Sequence, residues 1–187
     1  MRVAFLGKGG AGKTTTSAGF VRYLAAKKPF VLAVDADVNA HLKGALHRTD
    51  WAGDVYEIGE EREAIINYLK GSRTDLGDNC MVGTTPPSTR SQFISVSPKD
   101  PLISKYALKS GNISLLTVGT YKEGDVGGAC YHVKLTGLQS FFHHLLDGEE
   151  DFVVADTTAG TDNVATSLSF AYDMNVFVVE PTKKSVQ

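Results

Sequence analysis

Cysteine is almost missing from this chain: two thiols, Cys80 and Cys130, occur in 187 residues. Two are too few for a disulfide framework, so a reducing compartment is expected. Long apolar runs are missing too. None approaches the roughly 18 residues that a membrane span needs, and the charged, glycine-rich amino-terminal stretch is not a secretory signal. A cytoplasmic protein with no membrane segment is the expectation. Charge of one sign is also scarce: 19 basic and 21 acidic residues leave a formal net charge of −2, which lends no support to nucleic-acid binding. Internal repeats and low-complexity tracts are lacking. A hydrophobic content of 42% is enough for one sizeable core, so residues 1–187 are expected to form a single domain.

The apolar pattern alternates between two periods. Short apolar runs at 2–6, 30–34, 113–118, 152–156 and 175–180 read as strands. Between them, residues 13–27 carry Ala18, Val21, Leu24 and Ala25 on one helical face, and Lys27, Lys28 and Pro29 end that helix. Residues 60–69 place Ala64, Ile65, Tyr68 and Leu69 on a second stripe stopped by Gly71, while Leu138, Phe141, Phe142 and Leu145 mark a third helix. Continuous apolar strands separated by helices predict an α/β fold with a mostly parallel sheet flanked by helices. Residues 79–111 break the rhythm. Pro86, Pro87, Pro98 and Pro101 argue against a long helix, and the stretch is expected to be a long irregular insertion, either partner-facing or a plain surface loop. The chain closes at 180–187, where the pattern would start another helix, so a truncated domain is the expectation there.

The string GKGGAGKT at 7–14 stands between a strand and a helix, the context a phosphate-binding loop requires. Gly7, Gly9, Gly10 and Gly12, with Ala11 among them, let successive amides turn inward around phosphate oxygens. The following helix adds the positive end of its dipole. Lys13 is expected to reach the β and γ phosphates, Thr14 to ligate Mg²⁺ through its hydroxyl, and Thr15 to lie near the α phosphate. Asp35 and Asp37 follow the second strand, at the carboxyl edge where open parallel sheets bind ligands. Asp35 is a candidate to hold the metal's water shell.

The run KGGAGKTT resembles the deviant Walker A motif of the MinD/ParA class of P-loop ATPases, which includes the nitrogenase iron protein, partition ATPases and CooC-like nickel-insertion ATPases. The resemblance implies that Lys8 crosses a dimer interface to the nucleotide of the other subunit. It implies that Asp37 orients or deprotonates the attacking water. It also makes 156–160 a switch segment in which Asp156 binds Mg²⁺ through water and the Gly160 amide senses the γ phosphate. ATP is the nucleotide that the resemblance favours, since the loop itself reads phosphates and not the base.

The implied activity is that of a nucleotide-switched dimeric ATPase yielding ADP and phosphate, a homodimer in its ATP state. The sequence does not identify its client protein. The string GGACYHVKLTGL at 127–138 resembles the place where CooC-like ATPases and the nitrogenase iron protein keep interface cysteines. Cys130 and His132 from two subunits would make a tetrahedral set suited to Zn²⁺ or Ni²⁺. Metallocentre maturation is therefore one expectation. A spatial-positioning or partition ATPase that binds a membrane, nucleoid or protein without metal is the alternative. A buried thiol at Cys130 with a surface His132 is equally open. Cys80 is expected to be unliganded, and His143 and His144 to be surface or groove residues.

Overall fold

The computed structural model describes residues 1–76, 81–122, 131–160 and 168–183. Its frame is a six-stranded sheet. The strands are β1 (Arg2–Gly7), β2 (Val31–Ala36), β4 (Leu108–Ser110), β5 (Ile113–Thr117), β7 (Val153–Thr157) and β8 (Met174–Val178), in the spatial order β4-β5-β2-β7-β1-β8. All neighbours are parallel except β4 and β5, which pair antiparallel. β2 and β7 are the central pair and β1 lies on the other side of β7, so the segments that follow these strands emerge beside each other at the carboxyl edge.

The alternation within β1 shows why its apolar run is continuous. Val3 and Phe5 join one buried cluster with Ala18, Val21 and Leu24 of α1 (Lys13–Ala25) and Leu42 of α2 (Leu42–Ala45). Ala4 and Leu6 face the opposite side, joining Ile65 and Leu69 of α3 (Arg62–Lys70) and Leu135, Leu138, Phe141 and Phe142 of α5 (Tyr131–His143). Both sheet faces are therefore covered, as period-2 side chains in an all-apolar strand demand. No described helix is long and apolar enough to cross a membrane.

Three local readings of the sequence need correcting. Residues 79–111, expected to be irregular, contain β3 (Ile94–Ser95), α4 (Pro101–Tyr106) and β4. Pro101 sits in the first turn of α4, where its missing N–H costs nothing, and Asp100 caps that turn by accepting from the Leu102 amide at 2.9 Å. The proline that argued against a long helix thus starts a short one. Second, α5 ends at His143, and Leu145 belongs to β6 (Leu145–Leu146), which pairs parallel with β3. Third, His144 is fully buried, with Nδ1 donating to the Ser140 carbonyl at 2.8 Å, and His143 is half-buried. The turn that ends α5 carries His144 inward, and its burial lowers the imidazole's affinity for a proton.

Candidate functional site

The glycine run lies at the carboxyl end of β1 and leads straight into α1. Gly7 has φ +146°, and a Cβ placed on it would lie 2.2 Å from the Val178 carbonyl oxygen, so only glycine lets the loop start against β8. Gly12, at φ +93°, is the residue before the first turn of α1. The Ala11 amide donates to the Lys8 carbonyl at 3.2 Å, closing the loop into a tight turn. Lys13 is buried, and its ammonium donates to the same Lys8 carbonyl at 3.3 Å. The Lys8 side chain itself is exposed.

A cavity of about 400 Å³ opens over this loop, lined by Gly9, Gly10, Gly12, Lys13, Thr14, Thr15, Asp37, Asn39, His41 and Ala159. It brings together the loop residues expected from the sequence and Asp37. Ala159, within the 156–160 switch segment, also borders it, as do Asn39 and His41, to which the sequence reading gives no role. For Asn39 a signal was present, since an amide two residues after an aspartate favours an Asx turn. That bond exists: Asp37 Oδ1 accepts from the Asn39 amide and from Asn39 Nδ2, each at 2.9 Å.

Asp35 is engaged differently from the expectation. Its Oδ2 accepts from the Leu42 amide at 2.8 Å and its Oδ1 from the Asp37 amide at 3.3 Å, so the carboxylate ties the end of β2 to the start of α2. Burial pushes the Asp35 carboxyl up to about 7, and the adjacent Asp156 charge adds to the rise against those two amides.

Asp156, opposite Asp35 in the β2–β7 register, is fully buried. Neither of its carboxylate oxygens has a hydrogen-bond partner among the described residues. Burial raises its pKa, while the nearby hydroxyls of Thr14 and Ser17 and the Lys13 charge temper the rise without satisfying the oxygens. An orphaned buried carboxylate beside a threonine hydroxyl is the oxygen donor set that a water-clad hard cation takes. The fit to Mg²⁺ therefore holds on chemical grounds. Beyond Asp156, Thr157 donates its hydroxyl to the Phe5 carbonyl at 2.7 Å and Thr158 to the Ala36 carbonyl at 2.8 Å. This segment thus straps the ends of β1 and β2 together. The Gly160 amide, expected to face a γ phosphate, donates weakly to the Gly7 carbonyl at 3.4 Å. Cys80, Cys130 and the His132 side chain lie outside the described residues. Among those described, no three His, Cys, Asp or Glu side chains form a metal-binding group.

Comparison with known proteins agrees with this geometry. An ATP-binding protein of Methanocaldococcus jannaschii is 30% identical over all 187 residues, and a second from the same organism is 25% identical. The carbon monoxide dehydrogenase accessory protein CooC of Rhodospirillum rubrum is 27% identical over the same length. This chain spans 65% of the length of the first of these proteins and 65% of CooC. The model of the CobQ/CobB/MinD/ParA nucleotide-binding domain matches residues 3–167. With a strand, glycine loop and helix walled by Asp37 and backed by Asp156, the chain belongs to the CobQ/CobB/MinD/ParA nucleotide-binding domain family.

Proposed function

We propose that this chain is an ATPase module that binds Mg–ATP in the cavity over Gly7 to Thr15, hydrolyses it to ADP and phosphate, and changes its partner contacts as it does so. The observation that carries the reading is the arrangement around that cavity: Lys13 and Thr14 on the loop, and Asp37 facing them with one oxygen fully used. Because Oδ1 already accepts two N–H groups, Oδ2 is the oxygen available to orient a water or take its proton. Thr14 and Asp156 would hold Mg²⁺, which would neutralise charge on the β and γ phosphates. Lys13 supplies a further positive charge there. In an ATP-bound homodimer, the partner subunit's Lys8 would add another, consistent with a side chain exposed beside the loop. ATP in preference to GTP is supported by the naming of two relatives as ATP-binding proteins.

The test is a pair of substitutions. Lys13→Ala should abolish measurable nucleotide binding. Asp37→Ala should keep ATP binding and lower turnover by about 100-fold or more, the usual scale for losing a positioned base. Equal turnover in Asp37→Ala and the parent chain would remove Asp37 from the mechanism.

The finer reading is that the client is a metalloenzyme under assembly, supported by the 27% identity to the CooC accessory protein. Here Cys130 and His132 of two subunits would carry Zn²⁺ or Ni²⁺ as cargo. Metal content of the Mg–ATP form of Asp37→Ala decides it. About one metal per two subunits, lost on adding Cys130→Ser, is the expected result for a shared tetrahedral site. A metal-free dimer would instead favour a positioning role.

A further inference from the structure

Part of the cavity wall is built by an unusual turn. Ala40 has φ +49°, the left-handed region that a residue with a Cβ rarely enters. Its amide donates to the Asp37 carbonyl at 3.0 Å, closing the turn. The neighbours on either side, Asn39 and His41, both border the cavity, while Leu42 is buried in the core. Both ends of the turn are clamped, since Asp35 accepts from the amides of Asp37 and Leu42. A strained residue held by such clamps at a ligand cavity points to a function for the side chains it presents.

Those side chains do different things. Asn39 spends its amide on Asp37 Oδ1. His41 is exposed on the cavity wall, and among the described residues its ring makes no hydrogen bond. The glycine loop lines this cavity for the phosphate chain, and Asp37, proposed above to orient the water attacking the third phosphate, lines it together with Asn39, which is bonded to Asp37, and His41, two residues further on. An imidazole always carries at least one N–H, and a donor aimed at a phosphate oxygen makes the stronger, charge-assisted kind of hydrogen bond.

Resting on the reading of this cavity as a nucleotide site, we infer that His41 is a specificity-determining residue: it donates to the terminal phosphate and so favours nucleoside triphosphate over diphosphate. Ala40's left-handed turn brings it to the cavity wall, and Asn39 engages Asp37 Oδ1.

Calorimetric affinities for ADP and for a non-hydrolysable ATP analogue, both with Mg²⁺, test this in the parent chain, His41→Ala and His41→Gln. In His41→Ala the analogue should bind about tenfold more weakly while ADP affinity stays within about twofold, the scale of one hydrogen bond to a charged group. His41→Gln, which keeps a donor, should recover part of the loss. An unchanged analogue-to-ADP ratio in His41→Ala overturns the inference, whether both affinities hold or both fall together. If the parent chain binds neither nucleotide, the nucleotide reading fails first and takes this inference with it; if it binds both and the ratio is unmoved, only the inference fails.

Discussion

Asp156 shows, at the scale of one residue, how a site can work against the fold that carries it. A carboxylate buried with no donor has its pKa raised, so the folded state favours the protonated form. The sign follows: stability is greatest below the unfolded value of 3.8 and declines as pH rises from there through the raised folded pKa. At pH 8, well above 3.8, burying this group is a net burden on the Mg²⁺-free protein. Asp156→Asn removes that charge, so it should raise the melting temperature at pH 8 without Mg²⁺ or nucleotide. At this chain length each kcal/mol gained is worth about 2–4 °C. The same variant should lose the extra stabilisation that Mg–ATP confers on the parent. A lower melting temperature without ligand would mean that the carboxylate is satisfied in some other way. His144 behaves in the opposite sense. Its pKa is lowered, so its contribution to stability is present above 6.5 and is lost as pH falls below that value. His144→Gln should therefore flatten the loss of stability on acidification, measured by urea unfolding at stepped pH.

At the scale of elements, what the sequence discloses depends on how local the cause is. β1, the glycine loop and α1 were legible because each is set by neighbouring residues: the apolar run, the glycines, then the helical stripe. α4 was not, although its cause is equally local. Asp100 before Pro101 is a cap followed by a first-turn proline, and weighing proline only as a helix breaker hid it. The β4–β5 hairpin had a signal as well, Gly111-Asn112 between Ser110 and Ile113, with Gly111 at φ +57°. By contrast, the β3–β6 pairing joins residues about fifty positions apart, and nothing nearby announces it. The site divides the same way. The loop and both aspartates could be read directly, whereas His41 could not, because its place at the cavity depends on Ala40's backbone and on Asp35 holding Leu42. Asp100→Ala tests the cap. It removes bonds to the amides of Leu102 and Ser95 and should cost about 1 kcal/mol in denaturant unfolding, with nucleotide affinity unchanged. A loss of nucleotide binding would tie α4 to the site.

At the scale of the whole molecule, the sheet formed by the described residues has two unlike edges. At β4 the outer backbone is covered: Ala52 and Lys109 exchange both amide hydrogen bonds, at 2.8 and 2.9 Å, and Lys109 adds a charge. Both devices discourage pairing with another chain. β8 at the other edge pairs with β1 alone among the described strands, and it carries neither device. Its surroundings are apolar, with Phe177 66% exposed, Met174 46% and Val179 54%, and Phe170 of the preceding 3-10 turn (Leu168–Ala171) 85% exposed. A strand with no neighbour on its outer side among the described residues, beside exposed aromatic rings, is the combination that promotes association through sheet edges. The 187-residue chain should therefore self-associate with rising concentration even without nucleotide, and sedimentation velocity across a concentration series would show it. Phe177→Lys places a charge on that edge without touching the glycine loop and should suppress the association. Because Phe177 pairs in register with Leu6 rather than with a cavity residue, the variant should keep its affinity for ATP. If association persisted unchanged in Phe177→Lys but appeared only with Mg–ATP, the contact would lie at the phosphate face and the β8 edge would be excluded as its cause.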